Sequence, residues 1–324
     1  MKTVALTLFG FTEEKLEPEE QVWVKKGELM NDKTRQQIMI NRELLKGYSG
    51  ADVGAEKTDQ EQKIPGPAPV KKYCSGVQGN RSGKKENGSG VQGNRLGKKE
   101  NGSGVQVSLP ENFSVLKMNG DFSSCIAGRK SRRAFAKEPV KLLELSYLLW
   151  ATQGIRNTVQ TEVEITFRNV PSAGSRHPLE TYLFINHVEE IEPGLYHYRP
   201  DLHLLEKLDC DGYSDETSFQ EDLKHALCGQ TFAATAPVLF VWSAIPYRCE
   251  WRYGLKAAKY ILLDAGHTCE NLYLAAENIG LGVCAVGAYD QDLLDELLGF
   301  LPGPSAEPGY ECAVYAAAVG KVKM

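Results

Sequence analysis

The stretch P-S-A-G-S-R-H-P (Pro171–Pro178), running into the apolar segment E-T-Y-L-F-I-N (Glu180–Asn186), decides how the rest of the chain is read. Small residues between two prolines form a turn whose backbone a flat polar group can approach closely. The aromatic and β-branched residues behind it form a strand that holds the turn rigid. Alone this is a turn before a strand. Two flanking segments of suitable chemistry make it a candidate site.

Outward from that turn, 324 residues suffice for two domains or for one large domain with appendages. With 42% hydrophobic and 24% charged residues, a sizeable core is available. A net charge of −5 argues against nucleic acid as the partner of the whole chain. The eight cysteines are scattered and contain no C-x-x-C pair, which reads as reduced thiols rather than a disulfide framework. The apolar start Met1–Phe11 runs into Glu13–Glu14 without a small-residue cleavage site, and no apolar run approaches membrane-spanning length. The expectation is a cytoplasmic protein with no membrane partner.

Three regions follow from composition. Residues 1–70 read as an N-terminal extension and linker, with a helix expected around Lys33–Lys46 and an extended close at Pro65–Pro69. Residues 71–106 hold a tandem repeat: S-G-V-Q-G-N-R-S-G-K-K-E-N-G (Ser75–Gly88) recurs at Ser89–Gly102 with Leu96 in place of Ser82. One valine per copy cannot offset the entropy of ordering the chain, so disorder is expected there. A basic arm for an acidic or phosphate-bearing partner is the sharper reading. Residues 107–324 read as the ordered domain. A helix starts near Pro139 and stops at Gly154, with leucines at helical spacing between. Strands are expected at Thr181–Val188, Pro237–Ala244, Leu281–Val286 and Cys312–Val319. A hairpin joins Gly194–Tyr198 to His203–Leu208, short helices cover Asp222–Leu227 and Gln291–Leu298, and a long core helix covers Leu255–Ile279. Without a βαβ rhythm the fold class is α+β.

Arg129–Arg133 (R-K-S-R-R) packs four cations and a hydroxyl into five positions. In an extended segment Arg129, Ser131 and Arg133 share a face and converge on one anion; a solvated basic patch is the competing reading. Leu281–Asp290 (L-G-V-C-A-V-G-A-Y-D) brings backbone near Gly287 within reach of a ligand, or is simply a buried strand with a glycine exit. His267 and Asn271, one helical turn apart, read as a hydrogen-bonded pair rather than metal ligands, and His197 and His203 lack metal-ligand spacing. No metal is expected. Cys284 reads as an inert core thiol, and Trp242 and Trp251 as core residues.

Taken in order, the basic run, the P-S-A-G turn, G-L-Y-H-Y (Gly194–Tyr198), D-A-G-H (Asp264–His267) and G-L-G-V-C-A-V-G (Gly280–Gly287) closely resemble the nitroreductase-like flavoproteins of the SagB/ThcOx type. The likeness covers roughly residues 107–321, with a further similar segment at Thr58–Pro69. It implies a three-layer α+β fold with a mixed or antiparallel central sheet and a long buried helix. It also implies an intertwined homodimer with FMN at the subunit interface. By the resemblance, Arg129, Lys130, Ser131 and Arg133 hold the FMN phosphate, ribityl chain and pyrimidine edge. Pro171, Ser172, Ala173, Gly174 and Ser175 come from the other subunit, Val286 and Gly287 face the ring near N5, and Lys321 or Lys323 assists at the phosphate. The azoline-oxidising branch uses a Lys-Tyr pair as base where this chain has Arg252–Tyr253. Arginine stays protonated, so a proton transfer would fall to Tyr253 with Arg252 lowering its pKa; a tyrosine packed at a helix start is the competing reading. The implied function is a SagB-type dehydrogenase acting on a small organic or peptide-derived substrate. The alternatives are an NAD(P)H-dependent nitro or quinone reductase and a non-catalytic FMN-binding scaffold.

Overall fold

The computed structural model describes residue 42 and residues 57–71, 105–161, 163–208, 216–300 and 307–323, the backbone alone for 216–218. The chain divides into a unit of residues 1–52 and a unit of residues 53–324, and the second carries every element described below. The helix expected around Lys33–Lys46 (Arg42 apart) and the two full copies of the repeat lie outside the described residues.

A seven-stranded sheet organises the second unit. Its strands are β1 (Gln106–Ser108), β4 (Leu179–Ile185), β5 (Gly194–Arg199), β6 (Leu204–Leu208), β7 (Val238–Ala244), β8 (Leu281–Val286) and β9 (Cys312–Lys321), in the order β1-β6-β5-β4-β7-β9-β8. Every ladder is antiparallel. A separate hairpin pairs β2 (Ile155–Gln160) with β3 (Glu164–Arg168). β4 and β7 are buried at every position, because helices cover both faces of the sheet and no solvent face selects polar residues.

The period of two still sorts their side chains. Leu183, Ile185, Phe240 and Trp242 pack with the helices α2 (Leu142–Gln153) and α6 (Ala257–Asn278) on one face. Tyr182, Phe184, Leu239 and Val241 pack on the other face with α3 (Glu216–Ala226), α4 (Thr231–Ala234) and α7 (Gln291–Leu297). Two further helices, α1 (Phe122–Gly128) and α5 (Tyr247–Tyr253), lead into the basic run and into α6. This is the expected three-layer α+β fold, with an antiparallel sheet.

Two expectations change. The long helix starts at Ala257, not Leu255, and it is not buried all round. Ile261 and Leu272 are in the core, whereas Leu262 and Leu263 stand 53% and 50% exposed. Apolar residues on most faces thus mark two apolar surfaces, of which this chain covers one. Residues 57–71 are also more than a linker. Gln60 N–H donates to Trp251 O (2.9 Å), the Trp251 indole donates to Ile64 O (2.8 Å), and Lys71 pairs with Glu311 at 2.5 Å. Pro65–Pro69 forms neither helix nor strand and lies against the domain, with Pro69 O accepting from Arg168 at 2.8 Å. Among the described residues no helix is long and apolar enough to cross a membrane.

The segment that follows the basic run packs onto β9, where Gly320 makes room for the Phe135 ring. A Cβ at Gly320 would lie 2.9 Å from the Phe135 ring and from Pro237. Gly320→Ala is therefore expected to cost about 1–3 kcal/mol through overpacking, lowering the melting temperature by roughly 2–10 °C in circular dichroism.

Candidate active site

The Pro171–Pro178 turn is built from strained backbone and held by buried side chains. It contains a 3-10 turn over Ala173–Ser175, and Gly174, Ser175 and His177 have φ of 55°, 52° and 43°. Ser172 Oγ accepts from His177 N–H (2.9 Å) and donates its own proton to Asp264 Oδ2 (2.5 Å). Asp264 Oδ1 accepts from Ala173 N–H at 3.4 Å. Arg176 donates Nε–H to Gly174 O (3.2 Å) and lies over the Trp251 ring. Arg248 donates to His177 O (3.3 Å) and pairs with Glu180 at 2.6 Å, while Glu180 also meets His197 Nε2 at 2.8 Å. Burial and then Arg168 push the His177 pKa down to about 2, so that imidazole is neutral.

The turn and the Arg252–Tyr253 pair form one place. A Cβ on Gly174 would collide with the Tyr253 hydroxyl and crowd Arg252 Cδ and Nε at 3.1 Å. Arg252 lies over the Tyr253 ring, 5.5 Å from its centroid. The electrostatics correct one expectation. Burial raises the Tyr253 pKa, and the opposing pull of Arg252 does not overcome it. The hydroxyl stays protonated at neutral pH, a proton donor rather than a base.

The basic run lies along the outer edge of β8, where Ser131 bridges Val283 and Arg132 N–H donates to Val283 O at 2.8 Å. Side chains alternate. Ser131 Oγ meets Tyr273 Oη (2.9 Å), whose oxygen also accepts from Ala285 N–H (2.8 Å), and Arg129 lies over the Tyr273 ring. Arg132 makes a two-pronged pair with Glu277 instead (2.7 and 3.3 Å). Arg133 stands over Phe232 at the edge of a cleft of about 460 Å³ that Phe135, Lys137, His187 and Pro237 help to line. Among the described residues no carboxylate pairs with Arg129, Lys130 or Arg133, and Lys130 is exposed. Unneutralised cations beside an aromatic ring and a hydroxyl fit a phosphate-bearing cofactor such as FMN.

Both halves of this constellation hang on α6. Asp264 and Tyr273 are nine residues apart in one continuous helix. That spacing is about 13 Å along the axis and half a turn around it, so the two side chains leave opposite faces. The exposed positions here are Leu262 and Leu263 just before Asp264, and Gly266, His267 and Glu270 between the two; a Cβ on Gly266 would meet nothing. One chain therefore presents the turn and the basic run on different sides.

The remaining candidates are placed as follows. Val286 ends β8 in the core, and Gly287 beyond it is exposed. Lys321 is engaged by Glu144 at 2.5 Å, and Lys323 is exposed. Asn271 donates to Ala151 O (2.9 Å) rather than pairing with His267. His203 sits between Ser146 and Tyr198 hydroxyls, each at 2.8 Å. Among the described residues no cluster of ligands could hold a metal ion. Cys284 is buried with its thiol pKa pushed up, and Trp242 is core. Sequence reasoning assigned no role to Asp264, Tyr273 or Glu144. For the first two the available signal was a polar group inside an otherwise apolar helical stretch.

Comparison with known proteins adds the lineage. Residues 126–320 match the nitroreductase family. A Methanocaldococcus jannaschii protein named as a nitroreductase is 34% identical over 170 residues, 52% of this chain and 80% of that one. Two solved structures named as nitroreductases share the fold at 23% identity and a TM-score of 0.52. The one from Ralstonia eutropha matches over 73% of this chain and 97% of its own. The one from Anabaena variabilis matches over 68% of this chain, which spans 42% of that longer one. The chain belongs to the nitroreductase family of FMN-dependent oxidoreductases.

Proposed function

We propose that this protein is a homodimeric FMN-dependent reductase of small organic electrophiles, of the nitro or quinone class, with NAD(P)H as electron donor. The observation that carries the two-subunit site is the half-turn between Asp264 and Tyr273 on α6. The turn and the basic run belong to one pocket only if two chains face each other across the exposed Leu262–Leu263–Gly266 surface. Arg129, Lys130, Ser131 and Arg133 of one chain then hold the cofactor, and Pro171–Ser175 of the other covers it. FMN supplies two-electron hydride transfer when bound. The protein's own part is position, charge and the proton. Tyr253 holds a proton at Oη against the turn, and Arg252 beside it stabilises the tyrosinate left after that proton is given to an acceptor oxygen.

A second reading, a SagB-type dehydrogenase acting on an azoline peptide, is favoured by the order of sequence motifs. It needs Tyr253 as a base, the role its raised pKa opposes. Anaerobic titration separates the two. Bleaching of the flavin by NAD(P)H supports the reductase. Flavin that stays oxidised with NAD(P)H and bleaches with an azoline peptide supports the dehydrogenase.

Replacing Arg129 and Arg133 with Ala is expected to strip FMN, weakening binding about 100-fold for two charge-assisted contacts. Unchanged flavin content would remove the anion site from this place. Leu263→Lys should yield monomers in sedimentation that also fail to retain FMN; a monomer that keeps its flavin would refute the two-subunit pocket. Tyr253→Phe should leave flavin binding intact and lower kcat by about 100-fold, the low end of general acid catalysis.

A further inference from the structure

The D-A-G-H segment of α6 contains a buried carboxylate that the proton chemistry does not use. Asp264 is 5% exposed and sits on the sheet side of the helix among Ile261, Ala265 and Thr268. A carboxylate in such a place is costly unless both oxygens find donors. Its two donors come from one loop: the Ser172 hydroxyl at 2.5 Å and the Ala173 N–H at 3.4 Å. Ser172 Oγ is itself the acceptor for His177 N–H at 2.9 Å, so its proton is free to go to Asp264. A chain of donors thus runs from His177 through Ser172 to Asp264, spanning the residues at positive φ. The space between is filled: Pro171, Ser172, His177, Asp264 and Thr268 surround a gap too small for a water molecule. Direct contact is therefore the way the helix reaches the turn.

We propose that Asp264 is a positioning residue, whose carboxylate sets the shape of the Pro171–His177 wall through Ser172 and the Ala173 N–H. The inference deepens the reading above, because it is that reading which makes the wall face FMN. Asp264 touches neither cofactor nor substrate and acts through the loop alone. Asparagine can keep both contacts, accepting from Ala173 N–H and donating to Ser172 Oγ, so Asp264→Ala, which removes both acceptor oxygens, is the informative change. Ser172→Ala removes the other partner, and because both changes break one chain of hydrogen bonds their effects should not add.

The experiment compares full-length Asp264→Ala, Ser172→Ala and the double variant by amide hydrogen exchange and by FMN titration. The expected result is exchange about tenfold faster at Ala173 and His177 in each variant, with the α6 amides unchanged. FMN dissociation constants should rise by a similar factor, and the double variant should be no worse than the poorer single one. Unchanged exchange at Ala173 and His177 would overturn the positioning role. Additive effects would overturn the single chain of hydrogen bonds. Faster exchange with unaltered FMN affinity would uphold Asp264 as the anchor of the loop and refute the placement of that loop against FMN.

Discussion

One helix sets the geometry on which the rest of the site depends. An α-helix turns 100° per residue whatever its sequence, and in α6 the residues that hold the turn and the basic run fall half a turn apart. No rearrangement of side chains brings them to one face. On the two-subunit reading proposed above, a single chain completes only half of a pocket, and the exposed Leu262 and Leu263 belong to the surface where the second chain would meet it. Cofactor site and subunit interface would then be one structural problem, set by the spacing of two residues.

Charge is distributed with the same economy. Arg132 is neutralised by Glu277, Lys321 by Glu144 and Arg248 by Glu180, each within hydrogen-bonding distance. Within the basic run, by contrast, Arg129, Lys130 and Arg133 have no carboxylate partner among the described residues, in a chain of net charge −5. Glu180 shows the other use of charge. It is fully buried, and it keeps a carboxylate pKa far below the ordinary value because Arg248, His197 and Arg168 outweigh the cost of burial. Such a pair is weak evidence for stability but fixes orientation, since losing one partner strands the other. Here it ties β4, α5 and the exit of the turn together, and Lys71 joins the incoming segment to the same network through Glu180 and Glu311.

The strands, the hairpin and the helix ending at Gly154 were legible because their signals are local: alternation, capping and glycine stops within a few residues. The basic run and the turn were legible as chemistry for the same reason. The contacts that give them meaning were not. Ser172 and Asp264 are separated by 92 positions and Ser131 and Tyr273 by 142, and neither pairing leaves a spacing that one sequence can reveal. The exposed face of α6 was read as core because hydropathy reports that a residue avoids water, not which chain shields it. Pro65–Pro69 was read as a linker because proline-rich extended backbone looks the same whether solvated or packed.

The turn shows why such long-range anchors are needed. Left-handed backbone costs a residue with a Cβ about 1–2 kcal/mol, and Ser175 and His177 both adopt it. Local hydrogen bonds within the S-A-G-S-R-H sequence, from Ser175 N–H to Ser172 O, Arg176 Nε–H to Gly174 O and His177 N–H to Ser172 Oγ, help to hold that shape. Hydrogen bonds to charged groups contribute about 1.5–3 kcal/mol each, and the turn receives long-range ones from Asp264 and Arg248 beside the local one from its own Arg176. Strain and anchorage are thus of the same order, so the shape also depends on the core around α6 and Glu180. Gly174 completes the logic, for it gives the one position where Tyr253 must approach the backbone no Cβ at all. Rigidity of the turn thus comes both from its own bonds and from the interior of the fold.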